Sequence, residues 1–249
     1  MAKNPSFWQN NWLASWFKTS KDSRVQREYR RHKASRRRPF EMLEDRALFA
    51  VVTPDTSNFL ADQPAIVIIG SGFDPIVSNN TLSFSEGAAG TVVAATETSL
   101  TVEFTTAPEA GQLMAVVTST SGSSGVPVQV ATVIPVITPN TANIAANATQ
   151  IVIVGTGFDT TVGNNSVAFG NGAAGTVIDS TRTSLTVQLD TPPTVAGSLT
   201  AVVTTNGVPS DSIQVANVVP VITQQTANLA ANATTLTIAG SGFGSSAGA

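Results

Sequence analysis

The sequence predicts an all-β protein: tandem β-sandwiches behind a basic, mostly non-globular N-terminal leader. Three observations carry that expectation. One short apolar phrase with two glycines returns at a fixed step of 85 residues: IVIIGSGFD at Ile66–Asp74, IVIVGTGFD at Ile151–Asp159 and LTIAGSGFG at Leu236–Gly244. Apolar and polar residues alternate with period two between those phrases, the pattern of a half-buried strand. Charge divides sharply along the chain. Residues 1–50 hold twelve of the 13 Lys+Arg and five of the 16 Asp+Glu, a formal +7, whereas residues 51–249 hold Arg182 alone against eleven acids, a formal −10.

The leader, residues 1–50, comes first. It contains all 3 Trp, the 1 Tyr and the 1 His of the chain. Trp8, Trp12 and Trp16 recur at helical spacing, and a run of arginines from Arg24 to Arg38 follows. No apolar h-region of ordinary secretory length is present, and no run of 18 apolar residues exists to span a membrane as a helix.

The repeating units follow, at residues 51–135 and 136–221, with the truncated start of a third at 222–249. Much more than the phrase repeats. NNTLSF (Asn79–Phe84) matches NNSVAF (Asn164–Phe169), and GAAGTVVAATETSLTVEF (Gly87–Phe104) matches GAAGTVIDSTRTSLTVQL (Gly172–Leu189). VIPVIT (Val133–Thr138) matches VVPVIT (Val218–Thr223). The register slips by one residue near TPPTVAGS and recovers, as suits a surface turn. A step of 85 residues is too long for a solenoid unit and fits a small independent domain.

Within the first unit, strands are expected near 51–54, 65–70, 81–85, 91–95, 99–104, 113–119 and 126–133. Leu100, Val102 and Phe104 point one way while Thr101 and Glu103 point the other; Leu185, Val187 and Leu189 repeat this. Seven short strands with Gly, Pro, Asn and Ser between them predict a sandwich of immunoglobulin type. The repeated phrase then reads as a strand end and a core plug. Ile66–Ile69 is read as a central strand. Gly70, Gly72, Gly155, Gly157, Gly240 and Gly242 let the chain leave that strand through backbone conformations a Cβ forbids. Phe73, Phe158 and Phe243 return to fill the core.

These residues resemble the IPT/TIG family of immunoglobulin-like, E-set-type domains. The resemblance rests on PVIT at Pro135–Thr138 and Pro220–Thr223, the I-x-G-x-G-F phrase, the NNxVxF strand and the TSLTV strand with its proline turn. In bacterial members, tandem copies build extracellular or cell-surface proteins as spacers, adhesive modules or accessory parts of enzymes. The leader has its own resemblance, to the N-terminal export segment of large planctomycete proteins. Its LEDRALFA motif carries that likeness through Leu43, Glu44, Asp45, Arg46, Leu48 and Ala50. A removed leader would leave a mature chain beginning near Val51.

The repeating units exclude much chemistry. They hold no His, Cys, Lys, Tyr or Trp, so no Ser–His or Cys–His pair can form in them. The glycine phrase lacks the third glycine of a dinucleotide fingerprint and the Gly-Lys of a phosphate loop. One Arg across two units leaves nothing to neutralise nucleic-acid phosphates. No cofactor is expected. Hard oxygens do gather on one turn of each unit, Asp74, Asn79 and Asn80, then Asp159, Asn164 and Asn165. These are weak candidates for Ca²⁺, although turns use the same residue types without a metal.

The expected function is therefore a non-enzymatic, cell-surface or secreted bacterial protein, a structural stalk, adhesive element or protein-interaction element. It would meet an unknown protein or cell-envelope partner after export, without a transmembrane segment. Two other readings stand beside it: an accessory region of a larger extracellular enzyme, and a nucleic-acid-associated protein working through the basic arm. The third copy is expected to leave TLTIAG (Thr235–Gly240) as a bare apolar strand open to association.

Overall fold

The structure is a computed structural model and describes residues 49–244. Leu43, Glu44, Asp45, Arg46 and Leu48 of the leader motif lie outside the described residues, as do the leader's tryptophans and arginine run.

The first sandwich is built from β1 (Val51–Val52), β2 (Asn58–Leu60), β3 (Ala65–Ser71), β4 (Thr81–Phe84), β5 (Ala89–Ala95), β6 (Ser99–Thr106), β7 (Gly111–Ser119), β8 (Gly122–Ser123) and β9 (Val128–Ile134). One sheet runs β1-β3-β6-β5, the other β2-β9-β7-β4, with β8 folded back on β7. The second sandwich repeats this with β10 (Val136–Ile137), β11 (Asn143–Ala145), β12 (Gln150–Thr156), β13 (Asn165–Phe169), β14 (Ala174–Thr181), β15 (Ser184–Thr191), β16 (Gly197–Thr205), β17 (Val208–Pro209) and β18 (Ile213–Val219). Its sheets run β10-β12-β15-β14 and β11-β18-β16-β13. The fold is all-β, two tandem immunoglobulin-like sandwiches, and the described helices are single 3-10 turns at Val77–Asn79 and Val162–Asn164.

Alternation builds each core. Ile66 pairs with Val102 and Ile68 with Leu100, so those four side chains face the opposite sheet together. There they meet Leu113, Val117 and Val133. Ile151, Ile153, Leu185, Val187, Leu199, Val203 and Val218 repeat the arrangement as a separate core. Burying each such side chain contributes about 1.5–3 kcal/mol. Ala50 belongs to the first core and is 1% exposed.

The structure departs from the sequence reading in four places. Ile66–Ile69 does lie in a central strand, β3 between β1 and β6, but the continuous apolar run is only half-buried, because Val67 and Ile69 face outward where a two-layer sandwich has no third layer; Val152 and Val154 repeat this. The opening strand splits between sheets. Thr53 still bonds to Ile69 of the first sheet, whereas Asp55 bonds to Gln129 of the second. Pro54, lacking an N–H, sits at the crossing, and Pro139 sits at the same crossing between Thr138 and Asn140. Past it lies β2, a strand of 3 residues paired in parallel with β9, too short to show alternation.

The third departure concerns the first glycine of the phrase. A Cβ on Gly70 would lie 2.1 Å from the Val51 carbonyl oxygen and 2.4 Å from the Phe73 ring. Gly155 and Gly240 meet the equivalent atoms at 2.2 and 2.1 Å. The requirement there is space. The second glycine carries the conformational requirement, with φ of 72° at Gly72, 81° at Gly157 and 79° at Gly242. The fourth departure is the third copy. Among the described residues it forms β19 (Val221–Ile222) and β20 (Gly240–Ser241), and the TLTIA stretch before Gly240 lies outside any described strand.

Candidate functional site

The six calcium candidates do come together, three in each turn after the glycine phrase. In the first sandwich, Asp74 Oδ1 accepts the Ile76 N–H at 2.9 Å, while Oδ2 accepts Asn79 Nδ2 at 2.9 Å and the Thr120 hydroxyl at 2.7 Å. Asn80 accepts the Asp74 N–H at 3.0 Å and donates to the carbonyls of Asp74 and Ile76. In the second sandwich, Asp159 accepts from Thr161 N–H, Asn164 Nδ2 and Asn206 Nδ2, and Asn165 closes the turn as Asn80 does. Each carboxylate thus accepts three hydrogen bonds from protein donors of its own turn and a neighbouring one, the bonding of an Asx turn that the same residues make without a metal. Among the described residues, no group of three or more His, Asp or Glu is placed to hold a metal ion.

The electrostatics follow. The Thr120 hydroxyl, then the Ile76 N–H and Asn79, hold Asp74 below its usual 3.8. Burial pushes Asp159 up, but the Thr161 N–H, Asn164 and Asn206 outweigh it and leave it below 3.8. These turns are locks on the chain where it leaves β3 and β12.

What the locks position is a joint between sandwiches. The second glycine of the phrase sits at its centre. A Cβ on Gly157 would lie 2.5 Å from Ala61 Cβ and 3.4 Å from Pro135 Cα, so the second sandwich seats its turn on the far end of the first. The Gly157 carbonyl accepts the Ala110 N–H at 2.8 Å. Asn206 makes the Asn-Gly turn between β16 and β17, with φ of 50° there and 80° at Gly207. Its amide donates both to Asp159 and, at 2.9 Å, to the Ala110 carbonyl of the first sandwich.

Arg182, in the turn between β14 and β15, completes the joint. Its guanidinium donates to the Ala107 carbonyl and to the Glu86 carbonyl, each at 3.1 Å, and pairs with Glu109 Oε1 at 3.0 Å. The Glu109 side chain is 7% exposed and that of Arg182 29%. Burial raises Glu109 above its usual 4.5, with Asp159 and Glu86 adding to that; Arg182 and the Thr160 N–H oppose it.

The same joint recurs one step later. A Cβ on Gly242 would lie 2.5 Å from Ala146 Cβ and 3.2 Å from Pro220 Cα, and the Ala196 N–H donates to the Gly242 carbonyl at 3.1 Å. Sequence reasoning missed Ala61, Glu109, Ala110 and Asn206 entirely. Arg182 was visible as the lone cation after residue 50, which was the available signal. Gly72, Phe73 and Phe158 sit in the phrase as expected, with Phe73 and Phe158 buried; Gly155 is needed for space, and Phe243, expected to fill a core, is 44% exposed because no second sheet covers it among the described residues.

The family model of the IPT/TIG domain matches residues 132–219, the length of the second sandwich. No curated protein matches the chain. Solved structures similar to it include SGBP-B of the Bacteroides ovatus mixed-linkage glucan utilization locus in complex with a mixed-linkage heptasaccharide, at 16% identity over 66% of this chain and 43% of that one, TM-score 0.28. InvD of Yersinia pseudotuberculosis matches at 15% identity over 73% of this chain and 60% of that one, TM-score 0.28. Domains 5-6 of the S-layer protein SbsC match at 13% identity over 68% and 96%, TM-score 0.24. The chain spans less than two thirds of the length of the first two.

Proposed function

We propose that this chain, whose residues 132–219 form an IPT/TIG domain, is a non-enzymatic spacer that holds its sandwiches in a fixed series at the bacterial cell surface. The units are residues 51–135 and 136–221, with 222–249 beginning a third. The observation that carries this reading is the joint. Gly157 on Ala61 and Gly242 on Ala146 are one contact made twice at the step of the repeat, with the N–H of Ala110 bonding to the first glycine carbonyl and that of Ala196 to the second. A contact that returns with the repeat suits a protein whose task is to set distance and direction between what lies at its ends. A protein or cell-envelope partner would meet the outward sheet faces or loops. The described modules offer it no Trp, Tyr, His or Lys, and among the described residues no helix is long and apolar enough to cross a membrane.

Fractionation of the native cells, with mass spectrometry of the N-terminus, tests this. The expected result is a surface or secreted pool, beginning near Val51 if the leader is removed. A cytosolic pool beginning at Met1 overturns the surface reading and makes the basic arm the element to test against nucleic acid.

A further inference from the structure

We propose that the Arg182–Glu109 pair selects which sandwich docks on which: the far end of the first sandwich is a docking surface for a sandwich bearing a cation at the turn after its fifth strand. The proposal deepens the spacer reading and rests on it.

Backbone bonds identify the equivalent positions in the two sandwiches. The carbonyl of Arg182 accepts the Phe158 N–H, and the carbonyl of Glu97 accepts the Phe73 N–H, so Glu97 is the first sandwich's counterpart of Arg182. Glu109 precedes Ala110, and Val195 precedes Ala196, the two alanines whose N–H groups meet the next copy's second glycine. Val195, exposed, is therefore the counterpart of Glu109.

The charges then fit in one order only. With the second sandwich on the first, Arg182 meets Glu109 in a partly buried site, backed by the Ala107 and Glu86 carbonyls. A second copy of the first sandwich in that place would set Glu97 against Glu109, two carboxylates in a site that already holds Glu86 nearby, and would put Asp74 where Asp159 now stands. A second copy of the second sandwich on its own far end would set Arg182 against Val195, with no carboxylate to receive it. The small-residue contact of glycine on alanine is shared by both joints and discriminates nothing. The pair supplies the discrimination, since removing one partner leaves a desolvated charge unpaired.

Double electron–electron resonance on the full chain tests this. The chain has no Cys, so spin labels are placed by S83C and S166C, at exposed positions of β4 and β13. The unaltered pair of sandwiches is expected to give a narrow distance distribution. R182E, which copies the charge of Glu97, is expected to widen it about twofold, as for domains whose interface no longer holds them. E109V, which copies Val195, widens it less, and the exchanged pair R182E/E109R narrows it again. R182Q serves as the uncharged variant should R182E fail to fold, and each variant's thermal melt is compared with the parent's. A distribution as narrow in R182E or R182Q as in the parent overturns the proposal, as does an exchanged pair that folds and stays broad. Such a result leaves the spacer reading standing, because cell fractionation reads that separately.

Discussion

The second sandwich and the third copy carry nearly the same phrase and treat it differently. In IVIVGTGF, Ile151 is 7% exposed and Phe158 0%; in LTIAGSGF, Leu236 is 68% exposed and Phe243 44%. The local turn survives in both. Gly240 crowds the Val221 carbonyl and the Phe243 ring as Gly155 crowds the Val136 carbonyl and the Phe158 ring, and Gly242 keeps its positive φ. The strand does not survive. Ile151 and Ile153 lie in β12 because β15 pairs with it and the second sheet covers it, while Leu236 and Ile238 have neither. The phrase therefore encodes a turn by itself and a strand only with partners at long sequence separation.

The largest test of that difference is the plug. Phe158→Ala should cost about 3–5 kcal/mol in a urea melt, whereas Phe243→Ala should leave the melt within error. Equal losses would show that the third copy has a core of its own. Next is the first glycine. Gly155→Ala forces a methyl onto the Val136 carbonyl and the Phe158 ring and should destabilise by roughly 1–3 kcal/mol, while Gly240→Ala should alter only the local amide resonances of its turn. Deleting residues 222–249 should leave one or two cooperative transitions for the remaining sandwiches and lower concentration-dependent association measured by sedimentation. Loss of cooperative unfolding would show that the third copy supports the second.

The smallest effects concern the locks. Asp159→Asn should cost about 1 kcal/mol at neutral pH, the typical net worth of one hydrogen bond, since the amide keeps one acceptor oxygen and loses the other. Asp74 and Asp159 both lie below 3.8 when folded, so their contribution is present above that value and is lost as pH falls through the folded-state values. Glu109 runs the other way: raised above 4.5, it favours the folded form most when protonated, and that part is lost as pH rises through its folded value. An acid-denaturation series should therefore show a shallower acid limb in the Asp159→Asn variant than in the parent.

The sandwiches were legible because their signal is local. Leu185, Val187 and Leu189 alternate within β15, and the glycine phrase marks the end of β3 and of β12. The joint was not, because its parts are bland singly and far apart: Ala61 meets Gly157, and Arg182 meets Glu86, 96 residues away. Nothing in an alanine or a glycine announces that another module's backbone lies against it. The outward Val67 and Ile69 misled for a related reason. An apolar run reads the same whether one face or two are covered, and the number of layers is a property of the whole fold.

Ala50 closes the leader motif and also fills part of the first core. A peptidase cutting after Ala50 would need an extended backbone in its cleft, and in the folded sandwich that residue is buried in the first core while Val51 is paired with Ser71. If a leader is removed there, as the resemblance implies, cleavage and folding would compete for the same few atoms, and a chain cut after Ala50 would be one that was cut before its first sandwich closed.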